Sequence, residues 1–194
     1  MQALSAIRAE HRSLAAVIHG LVYLVRAARE APPDFALLAA MLRYIEDFPE
    51  RFHHPKEDVW LFARLRQRHA PAAALVDALQ REHAEGARRI RALRRALGRW
   101  QAAQGDPADT GSAREAFAEL ADDYATFHWG HMRREELEAM PLCEAHFDAG
   151  DWAEIDAAFA AQEDPLSGAS QATGFDELFR RIVRAAPPPV GTGK

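Results

Sequence analysis

Apolar residues recur along the first 150 positions at intervals of three and four, the period of an α-helix, and no segment alternates apolar with polar residues over strand length. Leu4, Ile7, His11, Leu14, Ile18, Leu21 and Val25 form one stripe, which predicts a first helix ending near Ala31-Pro32-Pro33. Asp34 is placed to cap a second helix. That helix carries Phe35, Leu38, Leu42 and Ile45, passes Pro49 and Pro55, and runs through Trp60, Leu61 and Leu65 to a break near Pro71. Each internal proline removes a backbone donor and crowds the preceding turn, so a kink or broken turn is expected there. A third helix starts around Pro71, with the stripe Leu75, Leu79, His83, Gly86, Ile90, Leu93, Leu97 and Trp100. The stretch from Gly105-Asp106-Pro107 to Gly111 reads as a loop. Ser112 with Glu115 has capping-box spacing for a fourth helix, along which Phe117, Leu120, Tyr124, His128, His131 and Glu135 share one side.

Helices of roughly 25 to 35 residues would be roughly 37 to 50 Å long at the usual rise per residue. Joined by short connections, they predict an all-α protein, an antiparallel up-down four-helix bundle with room for an interior site at mid-height. The bundle is assigned to residues 1–150 and a short C-terminal helical extension to residues 151–186. Within the extension, helices are expected over 151–161 and 175–185, with a loop over 162–174 between them. Residues 187–194, with three consecutive prolines, read as a frayed tail. The extension is expected to pack on the bundle or on a second subunit, in a monomer or a homodimer.

Composition narrows the partners. The chain has 194 residues, 48% hydrophobic and 27% charged, and no uncharged apolar run of about 18 residues that would span a bilayer, so no membrane partner is expected. Arg8, Glu10, His11 and Arg12 interrupt what would be the apolar core of an export signal, which points to a cytoplasmic protein. A net charge of −5 argues against nucleic acid as a partner. The single cysteine, Cys143, rules out an intrachain disulfide and a cysteine-based metal site, and is read as a packing residue. The arginines crowding the third helix, from Arg88 to Arg99, are read as a solvated face. What composition leaves unexplained is nine histidines.

Their positions carry the chemistry. His11 and His83 each replace an apolar residue inside a hydrophobic stripe. His53 with Glu57, and His131 with Glu135, stand four residues apart, which puts both side chains of each pair on one helix face. Four helices thus turn His, His plus Glu, His, and His plus Glu toward one interior, each hairpin supplying half of the set in an approximate two-fold repeat. Two carboxylates and four imidazoles in an apolar interior would be costly without partners. They can neutralise much of the charge of two divalent cations, with the carboxylates bridging, and a dinuclear iron site is the leading reading. Manganese or zinc would accept the same donors.

The run Arg51-Phe52-His53-His54-Pro55-Lys56-Glu57-Asp58-Val59-Trp60-Leu61-Phe62 and the later His128-Trp129-Gly130-His131-Met132-Arg133-Arg134-Glu135-Glu136, with Glu10-His11-Arg12 and Glu82-His83 in the matching order, resemble the hemerythrin-like HHE cation-binding domain over residues 4–146. The resemblance implies a four-helix bundle around a non-haem di-iron centre. His11 and His53 would lie on one side, His83 and His131 on the other, and Glu57 and Glu135 would bridge. Which imidazole serves which iron stays open. Oxygen-carrying members have a second histidine four residues after the first on the third helix; here that residue is Ala87, so the carrier pattern is incomplete. The set of four histidines and two glutamates is similar to relatives linked to iron handling, to oxygen or nitric oxide response, and to iron–sulfur cluster repair. The repair proteins carry a cysteine-bearing domain ahead of the bundle, whereas this chain begins with the bundle. The implied ligand is oxygen, nitric oxide or peroxide at an open iron position. The alternatives are an iron-donating or nitrosative-damage repair factor, or a di-iron peroxidase or nitric oxide reductase. His54 is a fifth nitrogen ligand or a group beside the ligands. His128, one turn from His131, is expected to line the site or a channel, and Tyr124, a turn earlier, to line the pocket or pack in the core. His19, His69 and His146 are assigned to surface or packing roles.

Overall fold

In the computed structural model, residues 1–161, 180 and 182–184 are described. The expected loop over 162–174, most of the expected helix over 175–185 and the tail from 187 lie outside them. Helix α1 spans Gln2–Ala27 and α2 spans Phe35–Phe48, the latter capped as expected by Asp34, whose side chain accepts the Leu37 N–H at 2.9 Å. The second arm continues through a π-helical turn Pro49–His53, the short α3 (His54–Lys56), a second π turn Glu57–Phe62, and α4 (Ala63–Arg68). After a 3-10 turn Ala70–Ala72, α5 runs over Ala73–Ala102 and α6 over Pro107–Arg134. The fourth arm passes a third π turn, Glu135–Ala139, into α7 (Met140–His146), and α8 covers Ala149–Ala161.

The kink or broken turn expected at Pro49 and Pro55 takes the form of π turns. Instead of interrupting the arm, the missing donors are absorbed by π turns, in which His54 N–H bonds to Pro49 C=O and Ala63 N–H to Asp58 C=O, five residues back. The fourth helix also starts earlier than the capping-box spacing implies. Asp106 accepts from Ala108 N–H at 2.9 Å, Pro107 occupies the first turn, and Ser112 lies inside the helix. The α5–α6 connection is correspondingly tight, and Gly105 takes the positive φ of 123° that its turn requires.

The four arms form a closed ring of neighbours, α1 against α2, α2 against α5, α5 against α6, and α6 against α1. Their inward stripes make two apolar clusters. One contains Leu14, Ile18, Tyr44, Phe48, Trp100 and Phe117; the other contains Leu4, Ile7, Phe62, Leu65, Leu79 and Met140. His11 sits between Ile7 and Leu14 and His83 between Leu79 and Ile90, so the polar layer separates two apolar plugs. The fold is the all-α bundle that the periodicity predicts. At the end nearest the second cluster, α8 packs on α1 and on the Glu57–Phe62 turn, with Asp156 accepting Ala3 N–H at 2.8 Å and buried Asp151 bound by Arg64 and by Arg68 at 2.8 Å. Ile182 joins the first cluster. Among the described residues no helix is long and apolar enough to cross a membrane.

Candidate metal centre

At mid-height the carboxylates of Glu57 and Glu135 occupy the middle of the bundle, both almost fully buried. Four imidazoles turn Nε2 toward them. His11 Nε2 is 3.2 Å from Glu135 Oε2 and 3.8 Å from Glu57 Oε1, and His53 Nε2 is 3.4 Å from Glu57 Oε2. From the opposite side, His83 Nε2 is 3.6 Å from Glu57 Oε2 and 3.5 Å from Glu135 Oε1, and His131 Nε2 is 3.2 Å from Glu135 Oε1. Both glutamates therefore face imidazoles from both hairpins.

The outer nitrogens are held by a second ring of carboxylates. His11 donates from Nδ1 to Glu136 at 2.8 Å, His53 to Glu10 at 2.8 Å, His83 to Asp58 at 3.3 Å and His131 to Glu82 at 2.9 Å. In turn Lys56 binds Glu10 and Arg134 binds Glu82. These partners did not emerge from reading the histidine spacing alone. A signal was present, because each acidic residue immediately adjoins an inward-facing residue: Glu10-His11, Glu57-Asp58, Glu82-His83 and Glu135-Glu136. The chain repeats Glu-His, then His-x-x-(Lys or Arg)-Glu-(Asp or Glu), once per hairpin.

This outer ring determines what the inner atoms can do. A neutral imidazole that donates from Nδ1 presents an unprotonated Nε2 lone pair inward. Lone pairs then face carboxylate oxygens, and close approach is not hydrogen bonding. Both oxygens of Glu57, both of Glu135, and Nε2 of His83 and His131 are buried without a hydrogen-bond partner. Several such orphaned groups in one place would each cost on the order of 1–3 kcal/mol or more. A cation among them removes the conflict, and the donor types suit a borderline divalent metal. One nitrogen or oxygen from each of His11, His53, Glu57 and Glu135 lies within 4.8 Å of the others, and the same holds for His54, His83 and His131. Donors about 2.1 Å from one ion are at most about 4.2 Å apart, so a small contraction closes either set on a metal.

Protons substitute for a cation when none is bound. Burial opposes charge on His11, but Glu135, Glu57 and Glu136 outweigh it and raise the group to about 9. The same competition between burial and the carboxylates around them raises His83 to about 9 and His131 to about 10. Glu135 is held well below the usual carboxylate range, against its burial, by His131, His11 and His83, while burial and the neighbouring Glu135 push Glu57 up.

The remaining residues singled out from sequence fall at different depths. His54 is buried, its ring stacked on His83 with centroids 3.8 Å apart. His128 is buried with both ring nitrogens unpartnered, burial and the nearby His131 holding it down to about 3. Its Nε2 faces the α5 backbone at Gly86, where an added Cβ would come within 3.4 Å. Tyr124 packs in the apolar cluster, 4.5 Å from the His128 ring, and burial raises its hydroxyl well above the usual range. His19 is exposed, and His69 stacks on His146 at 3.9 Å. Buried Cys143 is pushed up to about 12 by burial, as befits a packing residue. On α5, Arg88 and Arg89 pair with Glu85 and Arg94 with Glu46 at the surface.

Comparison with curated proteins gave no match. The family model described as hemerythrin HHE cation binding domain matches residues 2–143, which takes in all four arms and every residue of the polar layer. With its cation-binding assignment, its helical bundle and its two groups of buried donors in agreement, the chain belongs to the hemerythrin HHE cation-binding family.

Proposed function

We propose that the protein is a non-haem di-iron protein that binds or responds to oxygen, nitric oxide or peroxide. In this reading His11 and His53 from one side, His83 and His131 from the other, and Glu57 and Glu135 between them would hold the two ions. The observation that carries it is the convergence of four imidazole Nε2 atoms on two buried carboxylates whose four oxygens have no hydrogen-bond partner. Two carboxylates shared by imidazoles from both sides suit two adjacent ions better than one.

When bound, a di-iron pair supplies reversible electrons and open coordination positions for a small ligand. The chain's own residues do the rest. Glu10, Asp58, Glu82 and Glu136 fix the tautomer and orientation of the four imidazoles, which keeps the inner nitrogens available. The apolar clusters above and below the polar layer limit water. Burial of every proposed ligand favours holding the ions over donating them.

The test is anaerobic loading with Fe(II), metal analysis, and absorption spectra after adding oxygen, nitric oxide or peroxide. Two irons per chain are expected, with Glu57→Ala and Glu135→Ala each reducing uptake. A spectrum reversed by degassing marks a binding protein, steady consumption of peroxide or nitric oxide marks an enzyme, and rapid loss of iron to an acceptor protein marks a donor. Uptake of fewer than two ions, unchanged in both variants, refutes the dinuclear reading.

A further inference from the structure

The two halves of the centre follow the same repeat, but the position after the second histidine differs, being His54 in one hairpin and Met132 in the other. Both side chains are buried. Met132 joins the apolar cluster, whereas the His54 ring lies flat on His83, with an interplanar angle of 11°, and edge-on to His131 at 6.1 Å. A nitrogen of His54 is within 4.8 Å of nitrogens of both His83 and His131.

The backbone leading to the two positions also differs. The second arm reaches His53 through the π turn Pro49–His53, while α6 reaches His131 as a regular helix. On a regular helix a residue next to an inward-facing one points about 100° away. The consecutive residues His53 and His54 thus serve different halves of the centre, His53 grouped with His11 and His54 with His83 and His131. Nor does His54 look like a core histidine satisfied by hydrogen bonding. The four other inward imidazoles each donate to a carboxylate, but the carboxylate nearest to His54, Glu50, is 3.8 Å away.

We propose that His54, its ring turning out of the stack on His83 so that the in-plane lone pairs of both can converge, supplies a third nitrogen to the ion held by His83 and His131, making the two metal positions unequal. The inference rests on the dinuclear reading above. One ion then has three imidazoles and a share of the bridges, and the other has the two imidazoles of His11 and His53.

The experiment is an anaerobic titration of the full chain with Co(II), followed by ligand-field absorption and calorimetry, in wild type, His54→Phe and His54→Ala. Phenylalanine keeps a stacked ring and removes the nitrogens. The wild-type protein is expected to bind two ions with distinct bands and affinities. Both variants should weaken one ion by at least about tenfold and alter its band, tenfold being the low end of what even a supporting group contributes. Added imidazole should restore that band in His54→Ala. If His54→Phe does not fold, by its helical circular dichroism, the imidazole rescue of His54→Ala decides the matter. The proposal is overturned if the variants bind both ions with wild-type affinities and bands, or if an altered band in His54→Ala is unmoved by imidazole. A wild-type protein that binds fewer than two ions overturns instead the dinuclear reading on which it rests.

Discussion

Replacing Glu10 by glutamine separates the two tasks of the outer carboxylate ring. Glu10 is 1% exposed, accepts from His53 and is bound by Lys56, which is itself 2% exposed. Glutamine keeps an acceptor for the imidazole N–H but removes the charge, so Lys56 becomes a buried ammonium without a counter-ion. Breaking a buried pair from one side costs about 3–5 kcal/mol, a large part of the roughly 5–15 kcal/mol that holds a domain folded. The equivalent pair in the other hairpin, Glu82 with Arg134, has side chains 20% and 37% exposed. There water solvates the released guanidinium, and Glu82→Gln should cost no more than about 1 kcal/mol. The double variant Glu10→Gln/Lys56→Met removes both charges and should recover most of the loss. Urea unfolding of the metal-free protein, followed by helical circular dichroism, measures all four chains. If Glu10→Gln lies within about 1 kcal/mol of wild type, or Lys56→Met restores nothing to it, then the pair is not the buried, mutually dependent unit described here.

Other consequences are as direct. Asp106→Ala should cost about 1 kcal/mol in thermal or urea unfolding as the cap of α6 is lost, while Ser112→Ala, inside the helix, should stay within about 0.5 kcal/mol. Phe117→Ala, which empties a fully buried position in the larger apolar cluster, should cost about 3–5 kcal/mol by the same measurement. In the metal-free protein the raised His11, His83 and His131 contribute stability that is complete below about 6.5 and is lost as pH rises through about 9 to 10, since the folded state then gives up protons it held more tightly than the unfolded chain. His128 acts with the opposite sign, its contribution present above about 6.5 and lost as pH falls toward about 3. Melting temperatures from pH 6 to 10 should therefore fall on the alkaline side in chelator-treated protein and stay flatter in metal-loaded protein. Metal uptake near neutral pH should release protons detectable with a pH indicator dye, and a titration without proton release would contradict the protonated state of those imidazoles.

The hydrophobic period alone determined that this chain makes four long helices, and the interruption of two apolar stripes by His11 and His83 marked the level of the polar layer. Helical spacing was enough to pair His53 with Glu57 and His131 with Glu135, because neighbours on one helix follow from local geometry. What spacing could not show is any relation that runs between helices. That Glu10 serves His53 while Glu136 serves His11 depends on how four arms are rotated about their axes. Helical spacing therefore does not assign the outer carboxylates, even though each adjoins an inward-facing residue. The π turns are a second case: Pro49 and Pro55 signalled a disturbed ladder, but whether it breaks or widens depends on the packing that holds the arm in place. That His54 meets His83 and His131, while Met132 at the matching position of the other hairpin joins an apolar cluster, likewise follows from how the arms pack. Lys56 and Arg134 are equivalent in sequence, yet one is buried and the other half-exposed, because Phe159 of α8 lies 5.1 Å from Lys56 and covers it. Local periodicity is written in neighbouring residues and survives in the sequence; burial, tautomer and charge depend on contacts between distant segments, and only the folded bundle decides them.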